Sequence, residues 1–135
     1  MKRFRFERAM IAAAAVGLLA STTALAGLLQ DMAVTIDEVA RSASGSLGFV
    51  RNSSDRVQYI GCEPGSGGFG STCYARNTAG VTRTCVTADP DVMNTIASLN
   101  GDSHLIFYWD QFGQCTAVYV SIESFSAPKD PGITR

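Results

Sequence analysis

Apolar and polar residues alternate along much of the chain, and the alternation predicts strands. Over residues 103–109, Leu105, Phe107 and Trp109 occupy one face and His104, Ile106 and Tyr108 the other. Both faces are largely apolar, the pattern of a central strand covered on two sides. Asp110-Gln111-Phe112-Gly113 supplies a turn, and residues 114–123 alternate again, with Thr116, Val118, Val120 and Ile122 opposed to Cys115, Ala117, Tyr119 and Ser121. The two runs read as a hairpin. Upstream, residues 46–50, 57–62, 72–76 and 81–87 read as shorter strands, separated by Asn52-Ser53-Ser54-Asp55, a Gly-rich loop at residues 65–70, and Asn77-Thr78-Ala79-Gly80. One helix interrupts them at residues 90–99. Asp89 can cap it, Pro90 suits the first helical position, Asn100-Gly101 offers a left-handed stop, and Val92, Met93, Ile96 and Leu99 form one apolar face. Residues 29–41 fit either a helix or a strand, with the strand favoured. The fold class expected is mainly β: a small antiparallel β-sandwich with one short helix.

Lys2, Arg3, Arg5 and Arg8 precede an apolar run at residues 9–20, and Ala24-Leu25-Ala26 before Gly27 fits a small-x-small cleavage pattern. This predicts a signal peptide over residues 1–26 and a single domain over residues 27–135. As a helix, the apolar run reaches about 18 Å, short of the roughly 30 Å hydrocarbon core, so no stable membrane span is expected after cleavage. The alternative is an uncleaved anchor over residues 9–29, with Ser21, Thr22 and Thr23 inside the bilayer. No Cys follows the cleavage pattern to take a lipid, and no Arg-Arg pair marks twin-arginine export. The chain is therefore expected to be secreted or periplasmic, and the alanine-rich signal has a bacterial character.

Without residues 1–26 the chain keeps seven basic and eleven acidic side chains, a net charge of −4. That sign argues against nucleic acid, whose phosphates need a basic face, and against an anionic membrane surface. A composition of 46% hydrophobic and 17% charged residues is that of a folded domain rather than a disordered one.

The four cysteines, Cys62, Cys73, Cys85 and Cys115, all follow the export segment, and an even count in an oxidising compartment reads as two disulfides. Three pairings are possible. Cys62 with Cys73 and Cys85 with Cys115 is preferred, because the first flanks the Gly-rich loop and the second joins segments on either side of the helix. On the loop-entropy model these closures contribute about 3 and about 4 kcal/mol. A zinc site is disfavoured by the absence of C-x-x-C and by a single histidine.

Candidate chemistry is sparse, and no cofactor, metal or catalytic residue is assigned. A Ser-His-Asp or Cys-His site would have to use His104, the sole histidine, and no G-x-S-x-G elbow is present. Asp102 and Asp110 bracket one predicted strand, about 26 Å apart at about 3.3 Å per residue, too far for a glycosidase pair. Gly65, Gly67, Gly68 and Gly70 lack the Lys-Ser or Lys-Thr of a phosphate loop. Asp89-Pro90-Asp91 and Asn100-Gly101-Asp102 lack the distal Glu of a calcium loop. What remains is an aromatic cluster at one hairpin end, Tyr108, Trp109 and Phe112, which could stack on sugar rings or close the end of the core. Arg51, Arg56, Arg76 and Arg83 lie in or at the ends of strands, where guanidinium forks suit carboxylate partners or internal ties equally.

Arg51-Asn52-Ser53-Ser54-Asp55, Gln58-Tyr59-Ile60-Gly61-Cys62, Cys73-Tyr74-Ala75-Arg76-Asn77, Gly101-Asp102-Ser103, Gly113-Gln114-Cys115-Thr116 and Ala127-Pro128-Lys129 together resemble a group of small exported bacterial proteins with four cysteines and no characterised activity. The resemblance spans residues 46–129. It implies export, two disulfides and a compact β-rich module, and it carries no site onto any position. The function expected is a non-enzymatic β module binding a glycan or cell-surface ligand outside the cytoplasm through Tyr108, Trp109 and Phe112. Its rivals are an inhibitor of an exported hydrolase, presenting the loop at residues 63–72, and a small enzyme built on His104.

Overall fold

The structure, a computed structural model, describes residues 30, 32–65 and 70–126. The expected export segment, the tip of the Gly-rich loop and Ala127-Pro128-Lys129 lie outside the described residues. In chain order the elements are β1 (Thr35–Asp37), β2 (Ser42–Ser46), α1 (Leu47–Asn52), β3 (Tyr59–Glu63), β4 (Ser71–Arg76), β5 (Thr82–Thr87), α2 (Pro90–Ala97), β6 (His104–Trp109) and β7 (Cys115–Ser121). They form two antiparallel sheets, β1-β2-β6-β7 and β3-β4-β5, so the chain is mainly β, as the alternation predicts.

The hairpin β6–β7 forms at the predicted turn. Asp110 Oδ1 accepts from the backbone N–H of Phe112 at 2.8 Å and of Gln114 at 2.9 Å, and Gly113 supplies the left-handed φ of 79°. Strand β6 is central, between β2 and β7, but only one of its faces is fully covered. Leu105 and Phe107 are buried completely, whereas His104, Ile106 and Tyr108 on the other face are only partly covered. The expectation of two covered faces is thus corrected. Adjoining strands contribute Ser42, Ser44, Tyr119 and Ser121 to that outer face, and Tyr119 is well exposed.

The expected strand at residues 46–50 is also corrected. Ser46 ends β2, Leu47 N donates to Ser103 O, and the chain then turns into α1. β2 is already flanked by β1 and β6, so the run that follows has no further strand to pair with. Leu47 and Val50, three apart, instead share a helical face. The actual strand, Ser-Ala-Ser-Gly-Ser, carries its alternation in small residues, with Ala43 and Gly45 inward.

Helix α2 starts as expected, Asp89 Oδ1 accepting from Asp91 N at 2.8 Å and Val92 N at 3.2 Å. Its stop differs. It ends at Ala97, and a polar turn follows in which Asn100 N donates to Ser103 Oγ and Asp102 N to Asn100 Oδ1, without a left-handed Gly101. Of residues 29–41, the described ones contribute the short strand β1 and the turn after it.

The two sheets share one core of Ala43, Leu105, Phe107 and Val118 on one side and Ile60, Cys73, Ala75 and Cys85 on the other, closed by Val50 of α1 and Ile96 of α2. Their edges meet at two seams. At the first, Cys85 of β5 is bonded to Cys115 of β7, and Val86 N donates to Gly113 O at 3.0 Å. At the second, Val34 N donates to Gln58 Oε1 at 2.9 Å, and Gly45 lies so close to Ile60 and Val34 that a Cβ would stand 3.4 Å from each. The other disulfide, Cys62–Cys73, joins β3 to β4, so both preferred pairings are present.

Phe107 is fully buried, whereas Phe112 is 78% exposed. In urea denaturation, Phe107→Ala is expected to lose about 3–5 kcal/mol of stability, and Phe112→Ala less than about 0.5 kcal/mol. Comparable losses in the two variants would contradict this core.

Candidate functional site

A depression of about 410 Å³ lies between α1 and the start of β3. The segment that shapes it is folded onto its own polar groups. Ser53 Oγ donates to Val50 O at 2.9 Å and ends α1. The two oxygens of Asp55 accept from Val57 N at 2.7 Å and Gln58 N at 3.1 Å, turning the chain into β3. Gln58 then uses both ends of its amide, accepting from Val34 N and donating through Nε2 to Ser53 Oγ at 3.3 Å.

Leu47, Val50 and Ile60 form the apolar part of the lining, and Arg51, Arg56, Asp55, Gln58 and Tyr59 the polar part. Because Asp55 and Gln58 are engaged internally, the groups left to a ligand are two guanidiniums and the Tyr59 phenol. Arg51 makes a long 3.8 Å contact with Asp102, each side chain more than half exposed, which is a weak tie. Its guanidinium lies against Gly101, where an added Cβ would stand 2.9 Å from Nη1. Arg56 has no ion pair among the described residues. Arg83, by contrast, is held by Glu38, to which its Nε donates at 3.0 Å, and by Thr82 O. Of the four arginines named from the sequence, Arg83 is thus tied at β5, Arg51 and Arg56 line the depression, and Arg76 ends β4 opposite Tyr59.

The ring of Tyr59 meets Tyr74 edge-on, with centroids 5.9 Å apart. Burial, with the nearby Glu63 carboxylate adding to it, pushes the Tyr74 phenol above its ordinary value and keeps it neutral.

The aromatic residues expected to form one surface do not share a face. Trp109 is partly buried against the core, its ring 5.9 Å from that of Phe107, and a bulge separates it from Tyr108. Tyr108 lies on the outer face, edge-on to Tyr119 at 6.0 Å, while Phe112 stands exposed in the turn. Tyr119 was the partner to seek, since the alternation of residues 114–123 puts it on the face opposite Val118 and Val120. The loop at residues 63–72 is closed at its base by Cys62–Cys73, and its tip lies outside the described residues.

His104 is flanked in register by Ser46 and Ser121, and its Nδ1 is buried with no hydrogen-bond partner among the described residues. Ser46 Oγ already donates to Ser126 O at 2.7 Å. No nucleophile is hydrogen-bonded to His104 among the described residues. Among them, also, no three His, Cys, Asp or Glu side chains gather as a metal site, and no helix is long and apolar enough to cross a membrane. No family model, curated protein or solved structure matches the chain.

Burial lowers the His104 pKa below its ordinary 6.5, the Glu123 charge opposing this in part. The unfolded chain therefore binds more protons than the folded one once the pH falls below about 6.5, so stability is full above that pH and declines beneath it. Thermal melting between pH 8 and pH 5 should show this decline in the wild type and a shallower one in His104→Gln. Identical profiles would mean that His104 is not desolvated.

Proposed function

We propose that the chain is an exported, non-enzymatic β module that binds a carboxylate-bearing glycan outside the cytoplasm, at the depression between α1 and β3. Export is supported by the signal-like residues 1–26 and by two disulfides, which persist in oxidising compartments. The observation that carries the ligand reading is the pair Arg51 and Arg56 beside internally engaged Asp55 and Gln58, on a chain whose net charge is otherwise negative. Planar guanidiniums match carboxylates, and Tyr59 with Leu47, Val50 and Ile60 offers an apolar bed for the C–H face of a sugar ring.

Calorimetric titration with oligouronates, and with neutral oligosaccharides of equal length as control, tests this. Binding should be confined to the oligouronates and weaken with added salt. Arg51→Ala and Arg56→Ala should each lower affinity about tenfold, the loss of one charge-assisted hydrogen bond, with little change in melting temperature. Trp109→Ala should lower the melting temperature and leave the affinity of the folded fraction unchanged. If Tyr108→Ala abolishes binding while both arginine variants retain it, the ligand belongs on the outer face of β6 and β7 instead.

The inhibitor reading draws support from Cys62–Cys73, which ties together the strands on either side of the loop at residues 63–72. It predicts that a protease cut within that loop relieves inhibition of an exported hydrolase and leaves oligouronate binding unchanged.

A further inference from the structure

Three of the four cysteines stand side by side across the three-stranded sheet. Cys62 is the register partner of Cys73, and Cys73 is the register partner of Cys85. Residues directly opposite in an antiparallel sheet project from the same face, with Cβ atoms about 4.5–5.5 Å apart. Cys115, bonded to Cys85 from the first position of β7, continues the row across the seam between the sheets. Cys73 therefore has its covalent partner on one side and, on the other, a sulfur of the second disulfide.

Access along the row is graded. Cys73 and Cys85 are fully buried and Cys115 nearly so, while Cys62 is partly exposed, next to exposed Glu63. Of the two residues of the Cys62–Cys73 disulfide, Cys62 is thus the one open to a small thiol from solvent. Attack there expels the leaving thiolate on Cys73, toward the interior, where the next disulfide stands.

We propose that the cysteine row is a thiol–disulfide relay whose entry site is Cys62 and whose substrate is a low-molecular-weight thiol. In the first step the thiolate of the small molecule forms a bond to Cys62 Sγ, the Cys62–Cys73 bond breaks, and the electron pair leaves on Cys73 Sγ. In the second, the Cys73 thiolate bonds to Cys85 Sγ, the Cys85–Cys115 bond breaks, and the pair leaves on Cys115 Sγ, which takes a proton from solvent. Two disulfides exist before and two after, so no oxidant or reductant is consumed beyond the one thiol, now held on Cys62. The covalent tie between the two sheets is exchanged for one between β4 and β5. At that seam the bond from Val86 N to Gly113 O remains. The relay converts a modification at the surface into loss of the covalent tie at the seam, and it stands independently of the glycan reading.

The oxidised protein is incubated with reduced glutathione, quenched with acid, unfolded in denaturant, alkylated with N-ethylmaleimide at mildly acidic pH, and mapped by non-reducing peptide mass spectrometry. The expected map is a glutathione adduct on Cys62, a Cys73–Cys85 linked peptide and alkylated Cys115. Alkylated Cys73 with Cys85–Cys115 intact overturns the proposal, as does resistance of both disulfides until the protein unfolds. In Cys62→Ser, the single free thiol should distribute between Cys73 and Cys115, both becoming labelled. Label confined to Cys73 overturns the relay, and if this variant does not fold, the wild-type map decides alone.

Discussion

Two sheets of four and three strands can each bury one face only if their edges stay in contact, and at the β5–β7 edge the contact is covalent. Cys85 and Cys115 are 30 positions apart in sequence, and α2 and β6 lie between them. Closing a segment of that length before folding removes much of the unfolded chain's freedom, on the order of 3–4 kcal/mol in the chain-entropy model. In a domain of about a hundred residues, that contribution is a large share of net stability. The bond also sets the spatial relation of the sheets, since Val86 and Gly113 can exchange their hydrogen bond only with β5 laid alongside the start of β7.

The opposite seam is closed by polar and steric means. Gln58 reaches from the loop before β3 to the backbone of Val34, and the bare Cα of Gly45 lets Ile60 approach β2. The same loop shapes the depression beside α1. Its short polar side chains satisfy backbone N–H groups that no strand or helix claims, because an unpaired group there would cost more than the loop's exposure gains. With Asp55 and Gln58 engaged in folding the loop, Arg51 and Arg56 are the side-chain charges left unengaged in the lining of that depression.

At the far end of the four-stranded sheet, segments distant in sequence converge. Gln30 N donates to Phe125 O, Ser46 N to Met32 O, and Ser46 Oγ to Ser126 O, packing both ends of the described chain around Ser103 and His104. The lone histidine thus sits where desolvation favours its neutral form, so the only group ordinarily titrating near neutrality reports on the packing of this end.

Alternation determined the extents of β6, β7, β4, β5 and, within a residue or two, β3, because the period of two is local and each run is bounded by Gly, Asn or Asp. At the start of β7 it missed the faces, since Cys115 is buried with Val118 and Thr116 is exposed. Capping chemistry at Asp89-Pro90 determined the start of α2 for the same reason. The two disulfides were readable from cysteine order, since one pair flanks a loop and the other brackets a helix. Only the tertiary structure decided that residues 47–52 form a helix, because that choice depends on β2 having both neighbours already. Only it placed the extra residue Thr116 in β7, between the pairs Tyr108–Ala117 and Trp109–Cys115. It alone separated the tied Arg83 from the available Arg51 and Arg56, and aligned Cys62, Cys73 and Cys85 in one row. Partners of a side chain across strands are set by register, and register is a property of the assembled sheet, to which no single stretch of sequence refers.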